Sequence, residues 1–386
     1  MKNNNQKTIL QCYYIFFING ALALIIGSLL PYLRETYRLD YRIAGFLVSA
    51  HSIGNLCSSF LGGALPIWMG RKKAALLLCV NGVTAFILMT VTGNPLLLIL
   101  AFFLTGINRG SVSNFNNAII NDVSGGKASA LNLLHAVFCT GALLAPFIVL
   151  LFVRNSNANW IFAALLMAFG LFTELLVIWR MHVPNNYPSK AENAKNDWSF
   201  LKNRRFLIAC GILFSYMCAE QAINGWLVTY LKDTGIMSES FSQIMASLLW
   251  AVILVGRLVN AALSARIEKA KLLLVNCFAY VIFFVVLITA RSSAPCVAAI
   301  IGVGFFMSGL YPTTIASIGD IASQYPLALS CILTFAGAGA ILMPSIVGIA
   351  AQHIGILGGM SVVVIAVAFS FLFIVLNAVY SKKRHL

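Results

Sequence analysis

The chain is a succession of apolar runs, each about twenty residues or longer, and that pattern leaves little choice of fold. A helix rises about 1.5 Å per residue, so roughly 20 apolar residues cross a hydrocarbon core about 30 Å thick. Twelve such runs are read at 8–33, 42–64, 74–93, 95–121, 129–153, 159–181, 206–231, 240–263, 271–290, 295–320, 326–352 and 356–380. In lipid every backbone N–H and C=O must be paired within the protein, which leaves helices or a closed barrel. Barrel strands alternate with a period of two. These runs do not, so the expected fold class is all-α, with twelve transmembrane helices. Only 10% of the residues are charged, against about 25% in a soluble domain.

The net charge of +15 is explained by where the basic residues fall. With the amino terminus placed in the cytoplasm, eighteen of the 26 Lys and Arg lie in inner segments and six in outer ones. Only Arg109 and Arg257 remain deep inside runs, with Arg42, Arg180 and Lys271 at run ends counted with the flanking segments. This is the positive-inside asymmetry of a membrane protein. It points to a lipid bilayer as partner and not to nucleic acid, and it predicts both termini cytoplasmic, in a multi-pass protein of the cell (plasma or inner) membrane. The nine cysteines stand singly, with no C-x-x-C pair, and read as small buried hydrophobes. The first run is too long for a signal peptide and leads into Pro31 and charged residues, so it is expected to be the first span.

The one long polar stretch in mid-chain, 182–205, divides an N-terminal six-helix bundle (1–181) from a C-terminal one (206–386). Sliding the second half over the first by 198 residues brings Tyr32-Leu33-Arg34-Glu35-Thr36 onto Tyr230-Leu231-Lys232-Asp233-Thr234. The same register superposes Gly141-Ala142-Leu143-Leu144-Ala145-Pro146 on Gly339-Ala340-Ile341-Leu342-Met343-Pro344, and Asp122 on Asp320. Six spans is an even number, so the repeat is expected to be parallel. Such a pair of bundles suits alternating access around a midplane site.

The segment Gly62-Gly63-Ala64-Leu65-Pro66-Ile67-Trp68-Met69-Gly70-Arg71-Lys72-Lys73 resembles the signature between the second and third helices of the major facilitator superfamily. Ile67 and Trp68 stand where that signature has an acid and then a base. Within the superfamily, Leu131-Asn132-Leu133-Leu134-His135, Gly141-Ala142 with Pro146, Glu220 with Trp226-Leu227 and Tyr230-Leu231, and Tyr311-Pro312-Thr313 are similar to the fucose permease-like sugar/proton symporter branch. The resemblance implies a two-bundle transporter fold, a sugar-like substrate and proton coupling. Members of that branch couple through acids in the first and fourth helices. Here Asn19 and Asn114 stand near those places, so that coupling chemistry does not carry over, and the two amides join the expected binding set.

Polar groups inside a span are costly and mark a pathway or a helix contact. At 100° per residue, Arg109, Ser113 and Asn116 share one stripe of the fourth span and Asn114, Asn117 and Asn121 a second, while Val112, Phe115 and Ile119 point away. Amides donate and accept, as a polyol requires, and a guanidinium holds two oxygens at once. On the seventh span Tyr216, Glu220 and Asn224 stack at four-residue spacing, and Glu220 is the one acid read near the midplane. A carboxyl there can take up and release a proton, or pair with Arg109. Asn132 and His135 are a turn apart on the fifth span, as are His51 and Asn55 on the second. The expected substrate-binding set is Asn19, Arg109, Asn114, Asn117, Asn132, His135, Asn224 and Tyr311, with Glu220 for coupling. Trp226 reads as an anchor at the outer interface, Arg257 as snorkelling, and Glu174 as structural beside Arg180.

Asp122 and Asp320 end the fourth and tenth spans, where Arg71 and Arg266 open neighbouring loops. The four are expected to form a gate that closes and breaks in turn. Gly125-Gly126-Lys127-Ala128-Ser129 lacks the pattern of a phosphate loop, and neither HExxH, G-x-S-x-G nor a metal cluster is present. The reading is therefore a secondary transporter, not an enzyme, without cofactor. Its expected partners are a small-molecule substrate and protons, and nothing requires more than a monomer. Efflux of amphipathic compounds and a non-transporting membrane receptor are the competing readings.

Overall fold

A computed structural model describes residues 2–125, 128–183, 198–264 and 266–382. Its α-helices are α1 (Lys2–Tyr37), α2 (Tyr41–Met69), α3 (Arg71–Val91), α4 (Pro95–Ser124), α5 (Ala128–Val153), α6 (Trp160–Arg180), α7 (Arg204–Asp233), α8 (Glu239–Ser264), α9 (Lys269–Thr289), α10 (Ser293–Met307), α11 (Leu310–Ser317), α12 (Gly319–Gln324) and α13 (Pro326–Lys382). Among the described residues, eleven helical runs are long and apolar enough to cross a membrane. The last two expected runs are joined in α13, whose 57 residues would reach about 85 Å if straight. Ile354 (φ −124°, ψ 16°) and Gly355 (φ 76°, ψ 165°) break it into two helical segments, and only glycine adopts that second conformation without strain.

Local chemistry sets where the helices start and stop. Asp40 Oδ1 accepts from the Ile43 N–H at 2.7 Å to cap α2. Asn94 Oδ1 accepts from the Leu96 N–H at 2.9 Å, with Pro95 at the first position of α4 and Gly125 in the left-handed region at its end. Asn203 Oδ1 accepts from the Arg205 N–H at 3.0 Å to start α7. Each cap satisfies an orphan helix-terminal donor, typically worth about 1 kcal/mol.

The described residues form two compact units, one within Met1–Pro188 and one within Ser189–Leu386. Residues 184–197 of the expected linker lie outside the described residues. In the first unit α1 packs on α5, α2 on α4, and α3 on α4 and α6. Its core includes Phe16, Cys79, Val112, Ile119, Leu134 and Ile178, so the apolar back of α4 is buried against its neighbours. In the second unit α7 packs on α13, α8 on α10, and α9 on α10 and α13, around Phe206, Leu213, Ile318, Ile332 and Ala336. Trp226 belongs inside this unit, and the interfacial role expected for it is corrected. Its ring is fully buried and its Nε1–H donates to the Pro344 carbonyl at 3.1 Å, which removes the need for interfacial water.

The tenth run, expected as one helix over 295–320, is broken at Ser308–Gly309 and at Ile318. Pro312 supplies the reason for the first break. It lacks an N–H and its ring clashes with the carbonyl four residues earlier, that of Ser308. The Asn260 side chain from α8 lies so close to Gly309 that an added Cβ would meet its Oδ1 at 2.5 Å.

Candidate functional site

In the first unit the polar groups gather on α4 and the helices around it. Asn19 of α1 is fully buried. Its Nδ2 donates to Ser113 Oγ at 3.0 Å, and its Oδ1 has no hydrogen-bond partner. Asn117 is half-buried, and its Oδ1 is likewise enclosed without a partner. An unpaired buried acceptor costs about 1–3 kcal/mol, which a hydroxyl-bearing solute would relieve. Arg109 is half-buried and its charge acts on His51, whose Nδ1 pairs with Thr105 Oγ1 at 2.8 Å. Asn114 donates to the Ser58 carbonyl at 3.4 Å and, with Ser111, Pro66 and Arg71, lines a cavity of about 370 Å³ among α2, α3 and α4.

Other residues from the expected polar set stand apart. Asn116 is fully buried and donates back to the Val112 carbonyl at 3.0 Å. Asn121 is exposed at the helix end. His135 is exposed and meets the Phe16 ring edge-on at 5.4 Å between centroids. The Asn132 side chain lies outside the described residues.

One buried polar cluster was missed by sequence reasoning. Asn108 and Glu174 are both fully buried, and Asn108 Nδ2 donates to Glu174 Oε1 at 3.3 Å and to the Cys79 carbonyl at 3.0 Å. Glu174 thus packs on α3 and α4 rather than standing beside Arg180. The available signal was an acid inside a span. Asn108, one residue before Arg109, turns about 100° away toward α3 and α6.

In the second unit the chemistry converges on Glu220, which is 8% exposed and hydrogen-bonds the Tyr216 side chain one turn earlier on α7. The Tyr216 and Tyr311 rings lie 6.0 Å apart between centroids, so the residue after the helix break reaches the same place. The charges of Glu220 and Arg257 both act on Tyr216 and Tyr311, and Glu220 acts also on the buried Tyr280. Arg257 is half-buried, with its Nε enclosed and without a hydrogen-bond partner. Arg257, expected to snorkel, stands close enough for its charge to act on Tyr216 and Tyr311. Asn224, one turn beyond Glu220, is half-buried with an unpartnered Oδ1.

In the last turn of α4 and the first turn of α12 the acids are paired, though not as expected. Arg71 Nη1 donates to Asp122 Oδ2 at 2.5 Å. Asp320, however, pairs with Arg205 at 2.8 Å, and Arg205 also donates to the Ser317 carbonyl at 2.6 Å. Arg266, expected beside these acids, is exposed, and Asp320 has Arg205 as its partner instead. The physical reason is reach: Arg205 opens α7 and satisfies both the carboxylate and a helix-terminal carbonyl. The Arg205 hydrogen bond holds the Asp320 carboxyl below the usual carboxylate range. Among the described residues no three His, Cys, Asp or Glu side chains gather to hold a metal.

The family model described as Major Facilitator Superfamily matches residues 12–302. The chain is 26% identical over 369 residues to a glucose/galactose transporter of Brucella abortus, covering 92% of this chain and 82% of that one. It is 22% identical over 342 residues to the glucose/mannose transporter GlcP of Bacillus subtilis, covering 82% and 81%. Among solved structures it resembles a D-xylose-proton symporter (TM-score 0.78, 14% identity, 97% of each chain). It also resembles the nucleoside transporter NupG (TM-score 0.75, 15% identity, 98% and 99%). A match over so much of the chain settles its kinship: this protein belongs to the Major Facilitator Superfamily and is a multi-pass membrane transporter, not an enzyme.

Proposed function

We propose that this protein is a secondary active transporter of a small polar solute, a sugar or sugar derivative, coupled to protons and working by alternating access. In this reading twelve spans form two parallel six-helix repeats, 1–181 and 206–386, with both termini cytoplasmic, and the protein acts as a monomer in the plasma or inner membrane. Relatives whose names specify glucose, galactose and mannose support the substrate class, and the proton-symporter neighbour is consistent with the coupling.

The observation that carries the reading is the set of enclosed amide oxygens without partners, on Asn19, Asn117 and Asn224. In the first unit the guanidinium of Arg109 lies on the same helix as Asn117, and in the second the buried carboxyl of Glu220 lies on the same helix as Asn224. Acceptors of that kind match sugar hydroxyls, and a buried titratable acid matches a proton carrier. Asn114 and Tyr311 complete the binding set. The pairs Arg71–Asp122 and Arg205–Asp320 act as gates that form and break.

Proteoliposomes test this directly. Labelled hexoses, nucleosides and amphipathic dyes are offered with and without an inward proton gradient. The reading expects a hexose to be concentrated only with the gradient. Dye movement without hexose movement would assign the protein to amphipath efflux instead.

A further inference from the structure

We propose that the second unit holds one anionic phospholipid, with an acyl chain in the crevice between α7 and the two segments of α13 and its phosphate against Arg204 and Lys202. This goes beyond the transport reading and does not depend on the solute.

The crevice has a volume of about 570 Å³ and an almost wholly carbon lining. Along α7 it follows Leu207, Cys210, Gly211, Phe214, Ser215 and Cys218, a stripe at three- and four-residue spacing. From Leu207 to Cys218 that stripe rises about 16 Å, close to half the roughly 30 Å hydrocarbon core. One leaflet's acyl chain has that reach. The rim stays open, since Leu207, Phe335, Leu342, Ile365 and Phe369 are all exposed.

Charge complementarity names the headgroup. Arg204 continues the same stripe one turn before Leu207 and is exposed, as is Lys202 beside it. Arg205, by contrast, is committed to Asp320. Trp198, exposed and stacked on Phe200 at 5.9 Å, marks this end as headgroup level, where amphipathic rings settle. Cations at that depth attract anionic lipid.

The first unit shows what closes such a crevice. Gly141 of α5 lies against the Phe17 carbonyl just as Gly339 lies against the Phe214 carbonyl, which fixes the correspondence and sets Tyr14 opposite Gly211. Tyr14 fills its position and bonds Thr173 Oγ1 at 2.6 Å, and the remaining cavity is about 250 Å³. At Gly211 there is no side chain, and a Cβ there would meet the Phe373 ring at 2.7 Å.

The test is retention by the purified full-length protein in detergent, read by native mass spectrometry. The probes are phosphatidylglycerol, phosphatidylcholine with the same chains, and glycerol 3-phosphate. The proposal expects one phosphatidylglycerol to be held in preference to phosphatidylcholine, and no retention of glycerol 3-phosphate. Arg204→Gln and Lys202→Gln should each weaken retention roughly fivefold. Leu342→Trp, which fills the crevice from its exposed rim, should abolish it, and Phe369→Trp provides a second plug should the first fail to fold. Equal retention of the two lipids overturns the headgroup assignment. Undiminished phosphatidylglycerol binding in a folded plug variant overturns the crevice, and retention of glycerol 3-phosphate alone would mark a free-phosphate site instead.

Discussion

The fourth and tenth runs occupy matching places in the internal register, yet they provide polar chemistry in opposite ways. α4 is a single helix of 30 residues whose backbone is satisfied internally, so its polar groups are side chains: Arg109, Asn114 and Asn117. The tenth run is interrupted at Ser308–Gly309 and carries no amide or charge between Ser293 and Ser317. Its contributions are loosened backbone and Tyr311, brought beside Tyr216 and Glu220. An unbroken helix supplies fixed hydrogen-bond partners, whereas a broken one supplies a joint. On the proposed reading, α4 would position the solute and the tenth run would provide the movement.

Five experiments would break or sharpen that contrast. The largest expected effect is on the Pro312 joint. Proline costs about 3 kcal/mol inside a helix, so Pro312→Ala should let residues 305–315 join into one helix. Hydrogen exchange there should slow by one to two orders of magnitude while turnover falls. Unchanged exchange would mean that Asn260 against Gly309, not Pro312, maintains the break. Next comes Asn108→Leu, which strips the buried Glu174 of its amide donor. Loss of such a partner costs about 1–3 kcal/mol, to be seen as a lower unfolding temperature in detergent with solute affinity unchanged. Asn117→Leu should instead leave stability intact and weaken solute binding about tenfold, the value of one hydrogen bond near 1.4 kcal/mol. Unchanged affinity, measured by calorimetry, would remove α4 from the site.

The two ion pairs yield smaller effects. Arg71 and Asp122 have side chains 13% and 29% exposed, against 23% and 63% for Arg205 and Asp320. Pairs of this sort are worth about 0–1 kcal/mol. Arg71→Gln should shift the balance of conformations, read by cysteine accessibility, more than Arg205→Gln does, and Arg266→Gln should leave it alone. The smallest effect is one of pH. The folded state holds the Asp320 carboxyl lower than an unfolded chain would, so this pair stabilises above the usual carboxylate range, near 4. That contribution is lost only as pH falls through the lowered value. Asp320→Asn should thus leave the pH profile of transport between about 5 and 8 unaltered, and a shifted profile would show that Asp320 titrates in the working cycle.

Much of this architecture was legible in the residues, because the membrane restricts what an apolar run can become. Each run lengthens into a helix wherever its backbone must satisfy itself. The joint at Gly355 was also expected, as the gap between two runs. The break at Ser308–Gly309 was not, because hydropathy stays high across it and Pro312 alone does not say which turn yields. The Asn108–Glu174 pair was missed because it spans 66 positions, and periodicity along one helix carries no information about a neighbour. The influence of Arg257 on Tyr216 and Tyr311 was not legible for the same reason. Arg205 was overlooked because a shift a few residues smaller than 198 sets Arg71 on Arg266, and such an alignment does not encode side-chain reach.

The account stands most directly on Glu220. Counterflow exchange and gradient-driven accumulation of the same labelled hexose can be measured side by side in proteoliposomes carrying the parent protein or Glu220→Gln. The account predicts that exchange persists in the variant while accumulation disappears, since a glutamine keeps the hydrogen bonds but carries no proton. A variant that concentrates the hexose as well as the parent would contradict it.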